Sequence, residues 1–132
     1  METIKLILPE LVVEGLHYTK AVNQSDINNF VSEILAEYIL TIESIGFAPI
    51  VPVKSKKKAE IEIKIPKVHA MALQKVVKGL SHCNKKVIDN SDVINSALAL
   101  KIPILAKAVE IEDEFAKERN SMRANLKPNE LI

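Results

Sequence analysis

His82 and Cys83 stand side by side in the chain, the one arrangement in this sequence that sets a nucleophile next to a base. Adjacent residues on a helix or strand point apart, so the pair does not bring thiol and imidazole together. His17, His69 and His82 share no recurring spacing and no companion ligands, and Cys83 is the single cysteine, so neither a zinc site nor an internal disulfide follows. With three glycines there is no Gly-rich phosphate loop, and no convincing carboxylate pair appears. The sequence therefore predicts a protein that is not an enzyme, with no catalytic residues, no metal and no cofactor.

What remains is the chemistry of recognition. Thr3, Lys5 and Ile7 alternate with Ile4, Leu6 and Leu8, a period of two that gives a strand one aliphatic face and one mixed face. Lys54, Lys56, Lys57 and Lys58 form a basic run that reads either as a solvated linker or as a phosphate clamp. These groups need elements to hold them. Pro9 ends the first strand, and Leu11, Val12, Gly15, Leu16, Tyr18, Thr19 and Val22 follow at helical spacing, with Gly15 marking a close helix contact. Ser25 is suited to cap the next helix. That helix carries the longest amphipathic stripe in the chain, from Ile27 through Phe30, Val31, Ile34, Leu35, Tyr38, Ile39 and Ile42 to Ile45, and Gly46 ends it.

The order then recurs. Residues 48–59, APIVPVKSKKKA, read as an extended basic linker spanning at most about 40 Å. Ile61, Ile63 and Ile65 alternate with Glu60, Glu62 and Lys64, Pro66 stops the strand, and Leu73, Val76, Val77 and Leu80 form a helical stripe. Pro9 and Pro66 stand 57 positions apart (66 − 9), and Ser25-Asp26 recurs as Ser91-Asp92. Under the second offset Ile27, Val31, Ile34, Tyr38 and Ile39 fall on Val93, Ala97, Leu100, Ile104 and Leu105, whereas Phe30 and Leu35 become Ser96 and Lys101. A strand so short cannot satisfy its own backbone groups, so each ribbon strand requires a partner. The predicted fold class is mainly α with short β-strands, as two tandem ribbon-helix-helix (β-α-α) units, each strand pairing into a two-stranded antiparallel ribbon. The predicted division is 1–47, a first unit; 48–59, the linker; 60–106, a second unit; and 107–132, a C-terminal helix and tail.

Residues 3–45, and less closely 60–105, resemble the ribbon-helix-helix superfamily, the MetJ, Arc and CopG group of DNA-binding dimers. The resemblance implies a two-stranded ribbon lying in the major groove of double-stranded DNA, with Thr3, Lys5 and Ile7 contacting bases. Lys5 would reach guanine O6 or N7, Thr3 would donate or accept, and Ile7 would meet a thymine methyl. It further implies a phosphate grip at the start of the second helix, where Ser25 and Asn28 occupy the matching positions and Asp26 departs from the pattern by competing for the same amides. Lys56, Lys57 and Lys58 are the other candidate phosphate contacts.

Glu60 and Glu62 on the second strand would be repelled by a phosphate-lined groove unless each accepts from a cytosine N4, so DNA reading is assigned to residues 1–47 and a structural role to residues 60–106. The linker permits the two strands to pair within one chain as well as like strands to pair between two chains; pairing of like with like is favoured because it would keep those carboxylates away from the reading face. The chain is similar to tandem ribbon-helix-helix transcription regulators of filamentous viruses of hyperthermophilic archaea, which implies a homodimeric or larger viral regulator working in the host cytoplasm. The N-terminus lacks the pattern of a signal peptide, and no run is long and apolar enough to cross a membrane.

Two alternatives stay open. One is a ribbon-helix-helix antitoxin whose tail neutralises a toxin, although the tail, with Ile104, Leu105, Ala108, Ile111 and Phe115, shows no long exposed apolar stripe. The other is a structural oligomerisation protein without DNA binding, which fits the acidity of residues 1–47: two lysines against seven acids.

Overall fold

The computed structural model describes the backbone of residues 1–19, 24–46, 48–85 and 87–125, and their side chains apart from those at 19, 24, 25 and 120–125. In chain order the elements are β1 (Glu2–Pro9), α1 (Glu10–Thr19), α2 (Gln24–Ile45), β2 (Lys58–Ile65), α3 (Lys67–Asn84), α4 (Asn90–Lys101) and α5 (Pro103–Asn125). β1 and β2 pair antiparallel in a two-stranded sheet, with Ile4 opposite Ile63, Lys5 opposite Glu62 and Leu6 opposite Ile61.

The period of two does what it predicts at each strand. Leu6, Leu8, Ile61, Ile63 and Ile65 are buried beneath the ribbon, while Thr3, Lys5, Ile7, Glu60, Glu62 and Lys64 face outward. Each buried aliphatic contributes about 1.5–3 kcal/mol over leaving it in water. Below the ribbon they meet Ile27, Val31, Ile34, Leu35 and Tyr38 of α2 and Val93, Ile94, Ala97 and Leu98 of α4 in one continuous core, which also takes in Val12 and Leu16 of α1 and Leu73 of α3. Gly46, at φ 91°, ends α2 in the left-handed conformation that glycine tolerates best, and its N–H donates to the Ile42 carbonyl at 2.7 Å.

The expected fold class is corrected here. Instead of two tandem β-α-α units that each build a ribbon with a like strand, the described residues form one ribbon from β1 and β2, five helices and one shared core. Charge gives a physical reason. Carrying the observed register over by the 57-residue spacing, pairing like strands would set Lys5 against Lys5 and Glu62 against Glu62, whereas β1 with β2 sets Lys5 against Glu62. Like charges directly opposite destabilise an antiparallel pair and unlike charges favour it.

The boundaries also move. The strand expected from residue 60 starts at Lys58, and the fourth helix stops at Lys101, just before Pro103, which opens the fifth. Ile104 and Leu105 therefore belong to α5 and do not continue a stripe matching Tyr38 and Ile39. α5 lies against α1 and α4. At its contact with α1, a Cβ built on Gly15 would come within 3.3 Å of the Leu105 methyls, so glycine lets the two helices approach closely. Residues 126–132 of the expected tail lie outside the described residues.

Because Leu6 is fully buried at the centre of the ribbon face, Leu6→Ala should lower unfolding free energy by about 2–5 kcal/mol in denaturant titration. A loss under about 1 kcal/mol would mean that the face does not pack as described.

Candidate nucleic-acid interface

The outward face of the ribbon brings together Thr3, Lys5 and Ile7 from β1 and, directly across, Lys64, Glu62 and Glu60 from β2. Ile7 is 52% exposed, an aliphatic left in solvent in the middle of a charged surface. Lys5 Nζ lies 3.8 Å from Glu60 Oε1, with the two side chains 68% and 58% exposed. A pair so open to water is worth little and parts readily. The expectation that like-strand pairing would remove Glu60 and Glu62 from this face is not met: both carboxylates share it with Lys5 and Lys64, and the four charges cancel.

The ribbon edges are fixed from outside. In an antiparallel pair alternate residues turn their amides away from the partner strand. The outward N–H of Ile7 donates to Ser91 Oγ at 2.8 Å, and that of Lys64 donates to Asn28 Oδ1 at 3.0 Å. Ser91 sits in the first turn of α4 and Asn28 in the early part of α2, so each strand is tied to the second helix after the other strand. These bonds satisfy edge groups and set the height of the ribbon above the helices. Asn28, expected at a phosphate, is thus engaged in positioning β2. Ser25 lies in the first turn of α2, and its side chain is outside the described residues.

Lys56, Lys57 and Lys58 leave the Pro9 end of the ribbon, all exposed, with Lys58 opposite Pro9 and the Lys57 carbonyl accepting from the Glu10 N–H at 3.1 Å. The segment before them is not a loose spacer. The Val51 N–H donates to Ser96 Oγ at 2.8 Å, and Asn95 Nδ2 donates to the Val51 carbonyl at 2.9 Å. The Val53 N–H donates to Asp92 Oδ1 at 2.9 Å, and the buried Ser55 hydroxyl to Asp113 Oδ2 at 2.9 Å. From α2, the Tyr38 hydroxyl donates to the Pro49 carbonyl at 3.0 Å. Burial pushes the Tyr38 phenol above its ordinary value of 10.0, partly countered by its hydrogen bond with Ser96.

Sequence reasoning missed this polar track along α4. Its signal was present: Asp92, Asn95 and Ser96 stand at helical spacings of three and four, one face of α4. Asp89 caps that helix, accepting from the Asp92 N–H at 2.9 Å while Asp92 Oδ2 accepts from the Asp89 N–H at 3.1 Å, which frees Ser91 for the ribbon.

Elsewhere the chemistry-bearing side chains stand apart. His82 and Cys83 are exposed in the last turn of α3, His17 is exposed on α1, and His69 is half-buried on α3. Among the described residues, no group of three or more His, Cys, Asp or Glu is placed to hold a metal ion, and no helix is long and apolar enough to cross a membrane.

Removing one anchor should loosen the whole track. Ser96→Ala should cost about 1–3 kcal/mol of stability and speed hydrogen exchange at the Val51 amide; unchanged exchange there would contradict the assigned bond. The Tyr38 phenol gives a pH signature. Its folded pKa is raised, so its contribution is complete below 10.0 and declines as the pH rises past that value, where the unfolded chain ionises first. Wild-type stability should fall relative to Tyr38→Phe above pH 10.0, in denaturant midpoints measured across that range. A constant difference would contradict the burial of the hydroxyl.

The chain matches no protein-family model, no curated protein and no solved structure.

Proposed function

We propose that this protein is a sequence-specific double-stranded DNA-binding transcription regulator that lays the β1–β2 ribbon in the major groove. One observation carries the reading: Thr3, Lys5 and Ile7 stand together on the open face of a ribbon whose other face is buried and whose edges are tied to α2 and α4. The groove is about 12 Å wide and admits two strands about 4.8 Å apart with their side chains pointing at base edges. Lys5 and Lys64 donate to guanine O6 or N7, Ile7 meets a thymine methyl, and Thr3 donates or accepts. Glu60 and Glu62 accept from cytosine N4 amino groups at a cognate site and are repelled at others, so they oppose binding to the wrong sequence. Lys56, Lys57 and Lys58, at the ribbon's end, engage phosphates, as does the positive end of α2 near Ser25 and Asn28.

Both strands come from one chain, so a single molecule supplies a whole reading head. A dimer or larger assembly would add reach along DNA without being needed to form the ribbon. The charge cancellation on the ribbon favours a second reading, a structural oligomerisation protein with no DNA role, because such a face lacks the positive surplus that drives non-specific DNA binding.

Gel shifts with DNA from upstream of the protein's own gene, at two salt concentrations, separate these readings: specific binding that weakens as salt rises supports the first, and no binding at either supports the second. Lys5→Ala should lose about 1–3 kcal/mol of binding and relax preference at one base pair, while wild-type affinity would remove Lys5 from the reading head. Replacing Lys56, Lys57 and Lys58 by Ala should weaken all sequences alike and reduce the salt slope by about 1 for each phosphate no longer engaged. A weakening confined to one sequence would contradict the phosphate role.

A further inference from the structure

α5 has two apolar faces, and the fold uses one. Leu105 and Val109 pack against the core, and Ala116 continues their line. Ile104, Ala108, Ile111 and Phe115 recur at spacings of four, three and four and form a second stripe, roughly a quarter-turn or more around the helix. All four are exposed, with Ile104 at 83%, Ile111 at 44% and Phe115 at 57%. The expectation of no long exposed apolar stripe in this part of the chain is thereby corrected. Alternation of four and three is the seam of a coiled coil, in which these side chains become the knobs and holes of a facing helix.

The flanking charges identify that helix. On one side of the seam stand Lys107 and Glu114, and on the other Glu112 and Arg119. In a parallel pair each residue of the first set meets the residue five positions further along the other strand. Lys107 then meets Glu112 of a second copy, and Glu114 meets Arg119, each contact made twice by two-fold symmetry. Both are attractive. Within α5, Lys107 reaches Glu110 at 3.4 Å, in a pair 70% and 63% exposed that parts readily.

We infer that the exposed stripe of α5 is a self-association surface, on which two copies of the chain pair their α5 helices in parallel through Ile104, Ala108, Ile111 and Phe115. The helix is held in place by α1 and α4 before any partner arrives, which lowers the ordering cost that makes short coiled coils marginal. Ala108 lets the backbones come close between larger layers. The surface is remote in sequence from the ribbon, and the inference stands whether or not the ribbon binds DNA.

Sedimentation equilibrium of the full chain tests it. Wild type should reach twice its monomer mass at concentrations up to about 100 µM, and Ile104→Glu and Phe115→Asp should each raise the dissociation constant at least about tenfold with unchanged circular dichroism. Ile104 is so exposed that its replacement leaves the core intact, which keeps the test valid if Phe115→Asp fails to fold. A chain carrying Lys107→Glu and Arg119→Glu, and another carrying Glu112→Lys and Glu114→Lys, should each be monomeric alone and dimerise when mixed. A wild type that stays monomeric overturns the inference, as does a dimer indifferent to Ile104→Glu, and homodimers that persist in both charge-reversed chains overturn the parallel pairing.

Discussion

The pairing of β1 with β2 is the constraint on which the rest of the structure depends. Neither strand satisfies its backbone alone, and neither has enough aliphatic surface to make a core with two helices. Joined, they present Leu6, Leu8, Ile61, Ile63 and Ile65 as one apolar sheet face over α2 and α4, and the same act places Thr3, Lys5 and Ile7 on the opposite side. A shift of one residue in register would exchange the two faces, so the surface available for recognition is fixed by the burial beneath it.

Two further devices defend that pairing. Ser91 and Asn28 close the outer edges by taking the Ile7 and Lys64 amides, each from the helix belonging to the other half of the chain. The segment from Pro49 to Ser55 is held by Tyr38, Asp92, Asn95, Ser96 and Asp113, so the chain returning to β2 is guided along α4 and delivers Lys58 opposite Pro9. The buried Asn95 and Ser96 side chains are satisfied by this backbone and the buried Ser91 by the ribbon, which is why a helix with these residues facing inward is compatible with a packed interior.

Features set by local chemistry are legible in the sequence. The alternation at Ile4, Leu6 and Leu8, the strand stops at Pro9 and Pro66, the long stripe of α2 and its end at Gly46 all depend on neighbours within a few residues. The close approach at Gly15 is legible too, though not its partner Leu105. Strand partnership is not, because it is a choice between distant segments; it becomes readable only when the charges of Lys5 and Glu62 are compared across each possible register. Ser96 reads as a degraded copy of Phe30 when only apolar matches count, yet it holds the Val51 amide. In the sequence the stripe from Ile104 to Phe115 merges with Leu105 into one face, and only the packing of α5 divides them. For the candidate site, Thr3, Lys5 and Ile7 stand where the alternation puts them, while the carboxylates opposite them follow from the partnership that the alternation cannot specify.

The most direct test of the account is a chemical cross-link across the ribbon. Lys5 and Glu62 are directly opposite, where side-chain Cβ atoms in antiparallel pairs lie about 4.5–5.5 Å apart, close enough for a disulfide after small adjustment. In a chain carrying Lys5→Cys and Glu62→Cys, with Cys83→Ser to remove the native thiol, mild oxidation should join the two positions within one molecule at every protein concentration. Cross-links found only between chains, or none at all, would contradict a ribbon built from β1 and β2 of the same chain.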